Sequence, residues 1–133
     1  MASIYKSIPI SASADSVWDA VRDFGALHTR LVPGFVLDTK LDGEARIVRF
    51  ANGTAARELL VACDDARRRR VYAIHSERLK QHSASVQVVA DADTHCHVVW
   101  IVDLLPHEAA LYISRQIDEG AAFMQKAFMG GTV

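Results

Sequence analysis

The sequence predicts an α+β fold: a curved antiparallel β-sheet of about seven strands wraps around one long C-terminal helix, with two short helices after the first strand. Three observations predict it. The last six strand patterns follow one another through turn signals with no helix between them, which argues for an antiparallel meander and against parallel crossovers. An amphipathic stripe of roughly 20 residues, about 30 Å of helix, closes the chain and suits the one apolar face such a meander must bury. Two short helical patterns separate the first strand from the rest.

Residues 3–10 form a strand with Ile4, Ile8 and Ile10 on one face at period two. Ser13 is placed to cap a helix whose first turn holds Asp15. Val17, Trp18, Val21 and Phe24 recur at helical spacing until Gly25. A second helical piece spans residues 26–30 and ends before Pro33-Gly34. Strands follow at residues 35–41, 46–51, 56–63, 69–76, 84–90 and 96–104. Their turns are marked by Asp42-Gly43, Asn52-Gly53, Asp64-Asp65 and Asp91-Ala92-Asp93. Pro106 opens the long helix, where its missing N–H is harmless, and Gly130-Gly131 ends it. Ile113, Ile117, Gly120, Ala121, Met124 and Phe128 make its apolar stripe. A glycine in mid-helix costs about 1 kcal/mol against alanine, so Gly120 marks close backbone packing or room for a ligand.

The chain has 133 residues, the size of one domain, in which roughly two thirds of the unfolded surface can be buried. A hydrophobic fraction of 50% against 23% charged residues is globular, and a net charge of -1 gives no electrostatic footprint for nucleic acid. No apolar run approaches a membrane span, so no stable membrane insertion is expected. Residues 1–9 have neither the basic start nor the apolar stretch of a secretion signal. The chain reads as cytoplasmic. Cys63 and Cys96 fit a reducing compartment; three strand spacings put them roughly 14 Å apart, too far to bond.

Alternation orients the strands. Ala84, Val86, Val88 and Ala90 share one face, and Ser85 and Gln87 the other. Val98, Trp100, Val102 and Leu104 oppose His95, His97 and Asp103, and Tyr72 and Ile74 oppose Val71, Ala73 and His75. Even positions therefore point toward the helix. Arg46 and Glu58 flank the Asn52-Gly53 hairpin. A two-residue loop pairs Ile47 with Glu58; a three-residue loop with a bulge pairs Val48 with Glu58, which puts Arg46, Val48, Glu58 and Leu60 on one face. If that face is inward, the pair could orient a ligand or act as acid and base; otherwise it is a partly exposed ion pair worth about 0–1 kcal/mol.

Other motifs have plainer readings. Trp18 suits core packing, while Tyr72 and Trp100 suit either core or ring stacking. His95 and His97 have metal-like spacing but lack further ligands, so they read as exposed hairpin residues and no metal is expected. The run Arg67–Arg70 reads as a solvated turn balanced by nearby acids. No phosphate loop, dinucleotide glycine motif or Gly-x-Ser-x-Gly is present, and no cofactor is expected.

A set of residues in order along nearly the whole chain carries a family resemblance. It comprises Ile8-Pro9-Ile10, Ser13-Ala14-Asp15, Val17-Trp18, Arg22-Asp23-Phe24-Gly25-Ala26-Leu27-His28 and Pro33-Gly34. It continues with Gly43, Arg46, Asn52-Gly53, Glu58, Leu60, Asp64-Asp65, Tyr72, Ile74, Val98, Trp100 and the terminal helix. In these the chain resembles the START-type helix-grip superfamily, also called SRPBCC, in its polyketide cyclase/dehydrase-like branch. It departs from that branch at Ser13, where proline is frequent, and at Leu31-Val32, where tryptophan and histidine are.

The resemblance implies a cavity between sheet and helix for a lipid, hormone, polyketide or other apolar molecule. On the sheet, the expected lining is Arg46, Glu58 and Leu60, then Tyr72, Ile74, Val86, Val88 and Trp100. On the helix it is Ile113, Ile117, Gly120 and Met124. The expected function is binding of a small hydrophobic, aromatic or polyketide-like molecule. The alternative is a cyclase or dehydratase-type enzyme with a pocket acid/base pair, or an interaction module using the sheet's outer face. A homodimer is compatible with each.

Overall fold

The computed structural model describes residues 2–76 and 79–129. The helix stop read at Gly130-Gly131, and Glu77 of the loop before the fifth meander strand, lie outside the described residues. Strand β1 (Ala2–Ile10) buries Ile8 and Ile10 and leads into helix α1 (Ala14–Arg22). Ser13 caps α1 as expected: its hydroxyl accepts the Ser16 N–H at 3.1 Å, satisfying one of the helix's free donors. Val17, Trp18 and Val21 form the buried face of α1. The second helical piece is a 3-10 turn at Phe24–Ala26 followed by one π turn at Leu27–Leu31.

The meander follows as β2 (Val36–Asp42), β3 (Ala45–Phe50), β4 (Ala55–Asp64), β5 (Arg69–His75), β6 (Gln81–Ala92) and β7 (His95–Leu105). All pairings are antiparallel, in the order β1-β7-β6-β5-β4-β3-β2. Strand β6 starts three residues earlier than its apolar alternation indicates. Gln81, His82 and Ser83 carry no hydrophobic signal, yet they pair with Leu105, Leu104 and Asp103 of β7. Pro106 is extended and caps a 3-10 turn at His107–Ala109, so the long helix α2 (Ala110–Ala127) begins four residues after the proline.

The hairpin between β3 and β4 differs from both registers read from its turn. Arg46 itself stands opposite Glu58, and Arg49 opposite Ala55. The Phe50 N–H donates to the Thr54 carbonyl at 2.9 Å, leaving Ala51, Asn52 and Gly53 as the loop. The Asn52 side-chain oxygen accepts from the Thr54 N–H and hydroxyl, which centres the turn on Asn52 rather than on the Asn-Gly step.

Even positions do point inward. Val86, Val88, Val98 and Val102 are buried against the helix side, while Gln87 bonds the Arg67 carbonyl and His97 bonds Asp91 on the other face. Helix α2 buries Ile113, Ile117, Gly120, Ala121 and Met124. It is fastened to β1 by a Lys6–Asp118 ion pair of 3.0 Å and by Gln125, which donates to the Pro9 carbonyl at 3.0 Å. Across the helix, the Phe123 and Phe35 rings stand 6.1 Å apart. Among the described residues no helix is long and apolar enough to cross a membrane. Cys63 is exposed, Cys96 is buried, and both thiols are free.

Candidate functional site

Between the sheet and α2 lies a cavity of about 90 Å³. This is several times the ~10–15 Å³ that one water needs and below the ~300–1,000 Å³ of a drug-sized pocket. Its body is apolar: Val86, Val102, Ile113, Ile117 and Met124 line it, with Leu31, Phe35 and Phe50 from the opposite side. A wider, open depression of about 510 Å³ beside the β5–β6 connection shares Ile74 and His82 with it. Openness to solvent makes that depression the poorer place to hold an apolar molecule.

The ionisable groups gather where β3, β4, β5 and β6 lie side by side, while Gln116 lines the cavity from α2. Arg46 and Glu58 face each other across β3 and β4, with side chains 4% and 5% exposed. The Arg46 Nε donates to Glu58 Oε1 at 2.8 Å, and Nη2 approaches the same oxygen at 2.6 Å. Its Nη1 donates to the Phe24 carbonyl at 3.2 Å, and the guanidinium lies 4.0 Å from the centre of the Phe24 ring. The pair is therefore an interior one, not the partly exposed bridge that was the alternative expectation. Tyr72 is buried; its hydroxyl accepts from the Trp100 Nε1–H at 3.2 Å. Burial and the Glu58 charge push that phenol upward from its ordinary value, so it stays protonated.

Nine of the twelve residues expected around the cavity line it: Arg46, Glu58, Tyr72, Ile74, Val86 and Trp100 from the sheet, and Ile113, Ile117 and Met124 from α2. Leu60, Val88 and Gly120 do not. Leu60 lies beside a β-bulge between Leu60 and Ala62, where the alternation is interrupted. Val88 is buried in the core without bordering the cavity. A Cβ on Gly120 would stand 3.2 Å from Phe35 and 3.3 Å from Trp100, so this glycine marks close packing rather than ligand space.

Eleven further residues line the cavity, and two of them are ionisable groups that the sequence reading missed. Arg70 is not part of a solvated turn. Arg67 pairs with Asp64 and Arg68 with Asp15, but Arg70 points inward, 3% exposed, with its guanidinium 5.0 Å from the centre of the Phe24 ring. Burial, and next the neighbouring Arg46 charge, bring its pKa down to about 10, so it stays cationic at neutral pH. His82 is buried in the same wall, and burial lowers its pKa despite the Glu58 charge, leaving it neutral at pH 7. Both occupy even positions in line with Tyr72 and Ala84, so parity could have found them. The arginine run hid the first, and the loop assignment hid the second.

Trp18 is a structural residue: its indole N–H donates to Asp65 at 2.9 Å and ties α1 to the β4–β5 turn. His97 Nδ1 lies 2.9 Å from Asp91, and His95 lies beside Thr94. Among the described residues no three His, Cys, Asp or Glu side chains gather to hold a metal.

With this geometry, a family described as polyketide cyclase / dehydrase and lipid transport matches residues 1–129. The chain belongs to that family. No curated protein matches the chain. Solved structures share the helix-grip fold. An uncharacterised protein from Bacillus thuringiensis is similar with a TM-score of 0.86 and 22% identity over 96% of this chain and 99% of that one. A START superfamily protein from Mycobacterium smegmatis has a TM-score of 0.73 at 10% identity, over 96% of this chain and 94% of its own. Norcoclaurine synthase from Thalictrum flavum, in complex with dopamine and hydroxybenzaldehyde, has a TM-score of 0.70 at 17% identity, over 96% of this chain and 83% of its own.

Proposed function

We propose that this protein binds a small hydrophobic molecule between its sheet and α2, with the whole chain acting as one cytoplasmic ligand-binding domain. The observation that carries this is a largely apolar cavity between sheet and helix whose ionisable groups gather on neighbouring strands. Such a site takes up the apolar body at about 25 cal/mol per Å² and uses the polar groups for orientation. Arg46, held by Glu58, shapes the polar part of the wall, and the Tyr72 hydroxyl, which accepts from the Trp100 N–H, keeps its proton to donate. The test is a fluorescence titration with N-phenyl-1-naphthylamine, a neutral apolar dye. Saturable binding is expected, and it should be lost in Ile117→Phe, which fills the cavity from α2, while the fold remains. A parent protein that gives no saturable signal overturns the reading.

One observation favours a second reading, catalysis of the cyclase or dehydratase type. His82 is a neutral imidazole with an unpartnered Nδ1 in the cavity wall, close enough to Glu58 to feel its charge. In that reading His82 moves a proton on a polyketide-like substrate. His82→Gln would then keep dye binding but lose conversion.

A further inference from the structure

Four ionisable side chains besides Tyr72 share the polar part of the cavity wall: Arg46, Glu58, Arg70 and His82. Their charges do not cancel. Arg46 and Glu58 neutralise each other, and the remaining Arg46 nitrogen is taken by the Phe24 carbonyl. His82 is uncharged at neutral pH. Arg70 is left over. Its Nη1 is buried with no hydrogen-bond partner, and among the described residues no carboxylate comes within ion-pair distance of it. The Phe24 ring face beneath it stabilises the cation without supplying an acceptor.

A buried charge normally comes with a partner, because desolvation without one is among the costliest features a fold can carry. A second orphan lies in the same wall: His82 Nδ1 is also buried and unpartnered. The Tyr72 hydroxyl accepts from Trp100 and retains a proton to give. Arg70, Tyr72 and His82 thus present unused hydrogen-bonding capacity to one cavity.

We propose that the molecule bound in this cavity carries a single carboxylate on an apolar body, and that Arg70 receives it. This rests on the ligand-binding reading above and adds the ligand's chemical class. One surplus positive charge matches one monoanion. A phosphate monoester, at about -1.5 to -2, would exceed it and press against Glu58. The planar guanidinium fork fits the two oxygens of a carboxylate. Val86 stands opposite Arg70 in the β5–β6 register, so the charged group has an apolar lining residue beside it.

The experiment uses 2-naphthoate and 2-naphthamide, which share a ring system and differ in charge, titrated at neutral pH into the full chain, Arg70→Met and Arg70→Lys. The parent protein is expected to prefer the carboxylate by about 10- to 100-fold. Arg70→Met should bind the amide as before and lose the preference, and Arg70→Lys should retain part of it. Without ligand, Arg70→Met should melt at a higher temperature than the parent, because an unpaired buried charge has gone. Equal affinity of the parent protein for both compounds, or a preference that survives in Arg70→Met, overturns the carboxylate while leaving a hydrophobic cavity intact. A melting temperature of Arg70→Met below the parent's makes Arg70 a structural residue and overturns it too. If neither compound binds any of the three proteins, the cavity reading fails and this inference with it.

Discussion

The Arg46–Glu58 bridge keeps two positive charges compatible with one interior. Removing Glu58 leaves Arg46 and Arg70 both buried with no carboxylate between them. Breaking a buried pair from one side costs about 3–5 kcal/mol, whereas replacing both partners by apolar groups is often neutral. Glu58→Leu is therefore expected to lower the urea unfolding free energy by about 3–5 kcal/mol. Arg46→Met combined with Glu58→Leu should recover most of the loss; a Glu58→Leu effect below about 1 kcal/mol would show the pair to be solvated. His82 adds a pH dependence. Its folded pKa lies below the 6.5 of the free side chain, because burial opposes the charged form. Below pH 6.5 the unfolded chain takes up a proton that the folded chain resists, so this contribution is complete above 6.5 and falls as pH drops toward the folded value. The melting temperature should fall between neutral pH and pH 5.5, less steeply in His82→Gln. Equal slopes in the two proteins would place the titration elsewhere.

At the scale of elements, α2 lies close to the sheet at Gly120. A methyl group there would sit 3.2–3.3 Å from ring atoms of Phe35 and Trp100, both of which also border the cavity. The rings can give toward that space by a few tenths of an ångström. Gly120→Ala should then change stability by less than about 1 kcal/mol, with the gain in helix propensity offsetting the crowding. Gly120→Leu drives both rings inward and should cost about 1–3 kcal/mol, with a matching drop in melting temperature. It should also weaken dye binding, because the displaced rings occupy the cavity. An unchanged melting temperature for Gly120→Leu would mean that the helix has more room than the packing allows.

At the scale of the whole molecule, sheet order separates the two thiols. Cys63 lies on β4 and Cys96 on β7, with β5 and β6 between them. Their strands are three spacings apart, roughly 14 Å, too far for a disulfide. Cys63 is exposed, while burial pushes the Cys96 thiol upward from its ordinary value. A thiol reagent should label one cysteine rapidly in the native protein and two after denaturation without reductant. Rapid labelling of both would contradict the burial of Cys96, and labelling of neither after denaturation would contradict the strand order.

The element sequence was written in the chain because it depends on local and periodic physics. A Ser13 cap, a 3.6-residue stripe on α2 and alternation along β6 and β7 each act within a few residues or along one face. The same alternation reached Tyr72, Ile74, Val86, Trp100 and Val102 of the cavity lining and contained Arg70 and His82 as well. Their polarity masked them, since an arginine in a run of four and a histidine before an apolar strand both look solvated. Tertiary structure decided three further things. It set the β3–β4 register, where Asn52 capping selected a three-residue loop and brought Arg46 directly opposite Glu58. It closed Gly120 with two rings contributed by distant segments. And it determined the charge balance of the cavity, because whether a buried arginine has a partner depends on which side chains four neighbouring strands bring within about 4 Å. No periodicity along one strand carries that information.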